Sequence, residues 1–384
     1  MKKSGIFAAT YIAVASVWLG GHFGPGFATG AFSAQYYEKY GPIGLFMPLL
    51  AMLITGGVMF YMVEYARSHG TTNYRSFVES AFGDGALAKI MPIFYDILFI
   101  GTVIGAGGLA VAGEANILGK LYGLGFWVAA VPTIIVSALL CLYGSKLVAR
   151  SSKYMMYAIV VIVLLIFVLS SASGKPDYAK AFAAPAIEQN NTLLNAIWKA
   201  ILYGCFQSTI AFNVMSCADL LESRAETKKA VVTGYIVTVI LMIAIAATLF
   251  GYLPSNPDII NLGKTPVPMM SIIMGLGMPW LTYLFVILMT CAVLTSTAGI
   301  ANAGCIRFSK LFSGISNVQL RRAVITAILL LVAAFGAWLD MERLTKTVTT
   351  YIGYAGIFGL VIPAFTIVRS KLNKDEKAAE KAKK

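Results

Sequence analysis

The sequence predicts an all-α membrane protein of about ten transmembrane helices, arranged as a 5+5 inverted repeat in which helices 1 and 6 are broken. Its composition, the lengths of its apolar runs and the placement of its basic residues carry that expectation. Apolar residues make up 58% of the 384 positions, charged residues 12%, and the mean hydropathy is +0.78. A soluble domain carries roughly 25% charged residues. The net charge of +13 does not point to nucleic acid, because Lys and Arg sit in short segments between apolar runs and form no face of a soluble domain. Cys141, Cys205, Cys217, Cys291 and Cys305 lie within apolar runs without metal-ligand spacing, and read as small buried residues with no disulfide. Lys2-Lys3 precede a long apolar run without a small-residue cleavage site, which makes it a first span and not a removed signal.

About 20 apolar residues cross the hydrocarbon. On that measure the spans cover residues 6–37, 42–65, 90–118, 126–143 and 147–170, then 193–221, 230–252, 280–308, 323–339 and 348–368. The organisation is a first five-helix repeat over 1–170, an extracellular connection over 171–192, a second repeat over 193–370 and a charged tail over 371–384. Residues 254–277 are too interrupted by Pro and Gly to span and read as a helical lid on the membrane surface. With the N-terminus inside, 22 of the 30 Lys and Arg fall on the cytoplasmic side, as the positive-inside rule demands. An even span count puts both termini there. The Ala/Lys/Glu tail reads as a solvated helix or disordered end, with contact to anionic headgroups as the lesser alternative.

The first span contains Gly20-Gly21-His22-Phe23-Gly24-Pro25-Gly26-Phe27-Ala28-Thr29-Gly30. Pro25 removes a backbone donor, and Gly24 and Gly26 weaken the helix on either side. Freed carbonyls at bilayer depth must line a cavity or be covered by protein, so the run reads as an unwound, site-forming break between two half-helices. A simple Pro kink on a small-residue packing face is the alternative. The sixth span places Tyr203-Gly204-Cys205-Phe206-Gln207-Ser208-Thr209 at its middle, and breaks in corresponding spans of two halves point to a transporter site. The eighth span carries Cys291-Ala292-Val293-Leu294-Thr295-Ser296-Thr297-Ala298-Gly299, where two adjacent hydroxyls and a carbonyl one turn back are hard oxygen ligands of the kind Na⁺ prefers. Hydroxyls bonded to their own preceding turn are the competing reading.

The run Gly20 to Gly30, Glu38-Lys39-Tyr40-Gly41-Pro42 after it, and Glu64-Tyr65-Ala66-Arg67 closing the second span resemble the start of LeuT-fold transporters. The GPGFATG run and Thr71-Thr72-Asn73-Tyr74-Arg75 are most similar to the YkvI-type bacterial membrane proteins, near the amino acid–polyamine–organocation superfamily. The likeness extends over nearly the whole chain in span layout. It is specific in the first span, the eighth span and the Gly144-Ser145-Lys146 turn. It implies one Na⁺ between the first and eighth helices, held by carbonyls at Gly20, Phe23 and Ala292 and hydroxyls at Thr295 and Ser296. Proton-coupled relatives place a Lys from the fifth helix there, and residues 155–169 contain none. A second Na⁺ would need an Asn near the break, where this chain has His22, Phe23 and Phe27, so it is not expected.

His22 lies in the middle of an apolar span, where ionisable residues are costly. Three roles are open to it: hydrogen bonding to substrate, carrying a proton, or fastening neighbouring helices. Glu114, after the small-residue stretch containing Gly107, reads either as a substrate or gating contact or as solvated near the outer interface. Glu64, Asp96 and Asp219 read as parts of an inner gate paired with basic residues, and His69 carries no expected role.

The implied function is sodium-coupled symport of a small solute, most simply an amino acid, by alternating access across the bacterial cytoplasmic membrane. A substrate carboxylate would meet the amides of Gly24 and Gly26. Its apolar part would meet Phe23, Phe27 and Phe206, with His22, Gly107, Gln207 and Ser208 completing the pocket. The expected partners are that solute, co-transported Na⁺ and the lipid bilayer, with no nucleic acid and no required oligomer. No nucleophile–base constellation suggests an enzyme. Transport of a nucleobase, amine or osmolyte, or a non-transporting sensor or channel, are the alternatives.

Overall fold

A computed structural model describes residues 10–142, 145–183, 192–339 and 341–382. Lys2, Lys3, Gly144 and residues 184–191 of the connection over 171–192 lie outside the described residues. The helices in chain order are α1 (Thr10–His22), α2 (Pro25–Ala28), α3 (Ala31–Tyr36), α4 (Met47–His69) and α5 (Tyr74–Phe82). Next come α6 (Ala86–Thr102), α7 (Gly108–Tyr122), α8 (Phe126–Leu142), α9 (Ser145–Ala172) and α10 (Tyr178–Ala183). The second half holds α11 (Leu193–Gln207), α12 (Ala211–Met215), α13 (Arg224–Tyr252), α14 (Pro268–Gly275) and α15 (Pro279–Phe308). It ends with α16 (Val318–Gly336), α17 (Met341–Arg343), α18 (Thr349–Gly356) and α19 (Arg369–Ala382).

Local chemistry sets these boundaries. The side chains of Asn73, Thr192, Ser223 and Asn317 accept bonds from the first free amides of α5, α11, α13 and α16. At the other end of α4, Gly70 takes φ 66 and closes the helix in the left-handed region. Seven continuous helices are long and apolar enough to cross a membrane among the described residues. They are joined by α8, of 17 residues, and by the two interrupted segments α1–α3 and α11–α12.

The packing pattern reveals the two halves. Helix α1 packs on α9, the last long helix of its own half, and on α13, the first uninterrupted long helix of the other. In the second half, α11 packs on α18, near the end of its own half, and on α4, which holds α13's place in the first. Exchanging the halves maps one set of contacts onto the other, as an inverted repeat requires. Trp18, 1% exposed, fills the wedge between α1 and α13 where Gly234 leaves room. A Cβ at Gly234 would collide with the indole. Gly234→Ala is therefore expected to destabilise the fold by about 1–3 kcal/mol through overpacking, read as a lower melting temperature in detergent.

Both breaks differ from their expected form. The first span does not resume as one outer half-helix: α2 has four residues, Gly30 at φ 84 interrupts the chain again, and α3 follows. In the sixth span the helix runs unbroken through Gly204 to Gln207, then tightens into a 3₁₀ turn over Ser208–Ile210 before α12. The reason is local. Ser208 Oγ donates to Gly204 O at 2.8 Å and Thr209 Oγ1 to Phe206 O at 2.8 Å, so the polar triplet binds its own turn. Gly204 serves close packing instead, because a Cβ there would stand 2.5 Å from Ala51 O.

The stretch 254–277, expected as a lid, folds into a 3₁₀ turn at Pro257–Ile260 and α14. Met269 N–H donates to Thr29 O at 2.9 Å, which ties α14 to the end of α2. The charged tail forms α19, anchored by Arg224–Glu376 at 2.6 Å and His69–Asp375 at 3.3 Å. His69, without an expected role, also stacks on Tyr65 at 3.9 Å.

Candidate substrate and cation site

The break in the first span meets α15 through oxygen atoms. Thr295 Oγ1 stands 3.2 Å from Gly20 O, 2.9 Å from Cys291 O and 3.0 Å from Ala292 O. Ser296 Oγ stands 3.2 Å from Gly20 O and 3.3 Å from Gly21 O. Thr295 thus bonds its own preceding turn, the competing reading of these hydroxyls, and also reaches across to α1. Glycine makes the approach possible. A Cβ at Gly20 would lie 2.5 Å from Thr295 Cβ, and one at Gly24 would lie 2.5 Å from Ser296 Oγ. Gly20, Ala292, Thr295 and Ser296 therefore come together, as the resemblance implies. The Phe23 carbonyl is not among the described partners of these hydroxyls, and Gly21 takes that place.

Beside this cluster lies a small cavity of about 20 Å³, lined by Gly21, His22, Gly24, Pro25 and Gly26 of the break. That is room for about one water molecule, so a solute would enter only after the surrounding helices move apart. Phe206, Gln207 and Ser296 reach the cavity as well. Its other walls, Phe32, Thr102, Ala106, Leu109, Thr209, Ile210, Asn213 and Ile300, were not singled out in the sequence. Asn213 could have been, since an amide inside an apolar helix is costly without a partner. The π-helical turn Val103–Gly107 carries Ala106 to the cavity wall.

Four expected pocket residues lie elsewhere. Gly107 faces α16, where a Cβ would stand 2.9 Å from Ala333 Cβ. Ser208 is fully buried and bonded to Gly204 O. Phe23 and Phe27 are fully buried outside the cavity lining, with ring centroids 5.3 Å apart. They belong to an aromatic cluster with Phe32, Tyr36, Tyr37 and Tyr203. Tyr36 and Tyr203 stand 4.9 Å apart, and Tyr36 Oη lies 2.8 Å from Thr349 Oγ1. Gly26 makes space for the Phe32 ring that covers the cavity.

His22 is 1% exposed. Its Nε2 lies 3.4 Å from Tyr203 Oη, which also accepts from Gln207 Nε2 at 2.7 Å, whereas Nδ1 has no partner among the described residues. A buried imidazole nitrogen without a partner on the cavity wall is available to a ligand.

At the end rich in basic residues, two carboxylates are paired with arginines. Asp96 bonds Arg307 Nη2 at 2.5 Å and Nε at 2.8 Å, and accepts from Tyr74 Oη at 2.6 Å. Glu64 pairs with Arg67 at 2.6 Å and accepts from Thr227 Oγ1 at 2.7 Å. Asp219 departs from the expected pattern: it is exposed and no ion pair of it is described. Glu114 is not solvated. It is 6% exposed and accepts from Thr290 Oγ1 at 3.2 Å, which joins α7 to α15.

No family model matches the sequence, and no curated protein matches it by sequence. Solved structures do match. A Na⁺-coupled sialic acid symporter in its substrate-bound outward-open state aligns with a TM-score of 0.66 and 17% identity, over 91% of this chain and 78% of that one. MhsT in complex with L-phenylalanine aligns at 0.67 and 14%, over 90% and 87%. Mhp1, a nucleobase-cation-symport-1 family transporter in a closed conformation, aligns at 0.60 and 12%, over 88% and 74%. At these identities the likeness is one of fold, and the fold of this chain is that of the LeuT-fold transporters.

Proposed function

We propose that the protein is a sodium-coupled symporter that moves a small solute, an amino acid, by alternating access. It works as a transporter and not an enzyme. Within the fold, the motif likeness favours the YkvI-type branch. The charge distribution favours a bacterial cytoplasmic membrane with both termini inside. The observation that carries the reading is the convergence of Gly20 O, Ala292 O, Thr295 Oγ1 and Ser296 Oγ between two helices that must separate for the pathway to open. Four neutral oxygens without a fixed positive charge suit a hard monovalent cation. Na⁺ among them would replace hydroxyl–carbonyl bonds with ion–oxygen bonds and hold α1 against α15. Its release would free α1.

On this reading the small cavity belongs to an occluded state, with the aromatic cluster as one gate and the Asp96–Arg307 and Glu64–Arg67 pairs as the other. A solute there would meet the Gly26 amide, which the short α2 leaves without an intrahelical acceptor, and the polar groups of His22, Gln207 and Asn213. Phe206 and Ile210 would receive its apolar part.

Uptake of labelled amino acids into proteoliposomes, with and without an inward Na⁺ gradient, tests this. Accumulation that follows the gradient is expected. Accumulation indifferent to Na⁺ would remove the coupling ion. Binding without flux would favour a sensor, and flux only of nucleobases, amines or osmolytes would replace the solute.

A further inference from the structure

An apolar groove of about 510 Å³ runs between α4, α13 and the helical segment that leads into α19, on the outside of the helix bundle. Leu53, Gly57 and Phe60 of α4, Val232 and Tyr235 of α13, and Phe365 line it. Gly57 forms its floor, since a Cβ there would collide with the Phe365 ring. In a membrane protein such a groove meets lipid and needs no protein cover. What distinguishes this one is its rim.

Going towards the basic end of α13, Val232 is followed one turn on by Lys228 and another turn on by Arg224, so all three share a stripe with the groove wall. One turn beyond Phe365 stands Arg369. The Arg224 guanidinium lies over the Phe60 ring at 5.7 Å and pairs with Glu376. Lys228 and Arg369 are exposed, and neither has an ion-pair partner among the described residues. The groove thus ends under two cations without an ion-pair partner among the described residues, at the basic end of α13.

We propose that this groove is a binding site for an anionic phospholipid, with one acyl chain between α4 and α13 and the headgroup held by Lys228 and Arg369. Charge selects the occupant, because a zwitterionic headgroup brings its own cation to the rim whereas a phosphatidylglycerol headgroup does not. A second copy of the chain fits less well. A twofold contact uses the same patch on both copies and would set one basic rim against the other.

The test is native mass spectrometry of the full-length protein released from detergent micelles doped equally with phosphatidylglycerol and phosphatidylcholine. At least threefold preferential retention of one phosphatidylglycerol is expected. In Lys228→Gln/Arg369→Gln the preference should vanish, while Lys310→Gln, at the same end but off the groove, leaves it intact. Val232→Trp, which fills the groove and keeps the rim, should lower retention of both lipids. Equal retention of the two lipids by the native chain, or a preference indifferent to the double substitution, would overturn the proposal. So would a dimer mass that displaces lipid. A monodisperse elution profile of each variant separates loss of the site from loss of the fold.

Discussion

Replacing Thr295 by alanine should raise the Na⁺ concentration that half-saturates uptake by about 10–100-fold, and Thr295→Ala/Ser296→Ala should abolish gradient-driven accumulation. Each hydroxyl is a dipole directed at a charge, and such contacts contribute about 1.5–3 kcal/mol, or at least tenfold in affinity. The substitutions are small, but they also remove the bonds that hold Gly20 O to α15. Solute affinity at saturating Na⁺ separates the two effects. If the hydroxyls serve the ion, affinity returns when Na⁺ is raised. If they only fasten α1 to α15, solute binding falls equally at every Na⁺ concentration, and the sodium assignment fails. Thr295→Ser keeps the hydroxyl and should retain most of the Na⁺ response.

Removing one partner of the Asp96–Arg307 pair is expected to cost about 3 kcal/mol, seen as a lower melting temperature for Asp96→Ala. The Arg307 side chain is only 7% exposed, and it lies over Tyr74 and Phe308 at 5.4 and 5.2 Å. Without the carboxylate, a largely buried guanidinium loses both of its charged bonds. Asp96 is 31% exposed, which places the cost at the low end of the range for buried pairs. The apolar replacement Asp96→Leu/Arg307→Met should recover much of that loss, because no unpaired charge remains. Its transport should still be impaired. A latch that no longer depends on paired charges would shift the balance between open and closed inner gates. Full transport activity in the apolar pair, together with restored stability, would reduce these residues to packing.

The sequence alone carried the class of the protein. Its 12% of charged residues, and apolar runs separated by short basic segments, leave few alternatives to a bundle of membrane-spanning helices. Pro25 between Gly24 and Gly26 marked the first break, because the loss of a backbone donor and of helical preference is written in residue identity. The hydroxyls of the eighth span were conspicuous at bilayer depth against leucine and valine, but the set Gly20, Ala292, Thr295 and Ser296 came from the resemblance to LeuT-fold transporters.

Tertiary structure decided which side chains share a space. Phe23, Phe27 and Gly107 flank the break or the small-residue stretch in sequence. Yet Phe23 and Phe27 turn into an aromatic cluster, and Gly107 onto Ala333 of α16. Phe32 enters the cavity from a position that local pattern does not mark, after the kink at Gly30, and Asn213, conspicuous as an amide but not in its direction, reaches it after the 3₁₀ turn that follows Gln207. The form of the second break was also out of reach. A Ser-Thr pair can unwind a helix or bond back to it, and here the hydroxyls of Ser208 and Thr209 bond back. Hydropathy and helix breakers are properties of one chain segment and can be read from it. Which face of a helix meets a cavity depends on the crossing of several helices, and that is settled only when their side chains pack together.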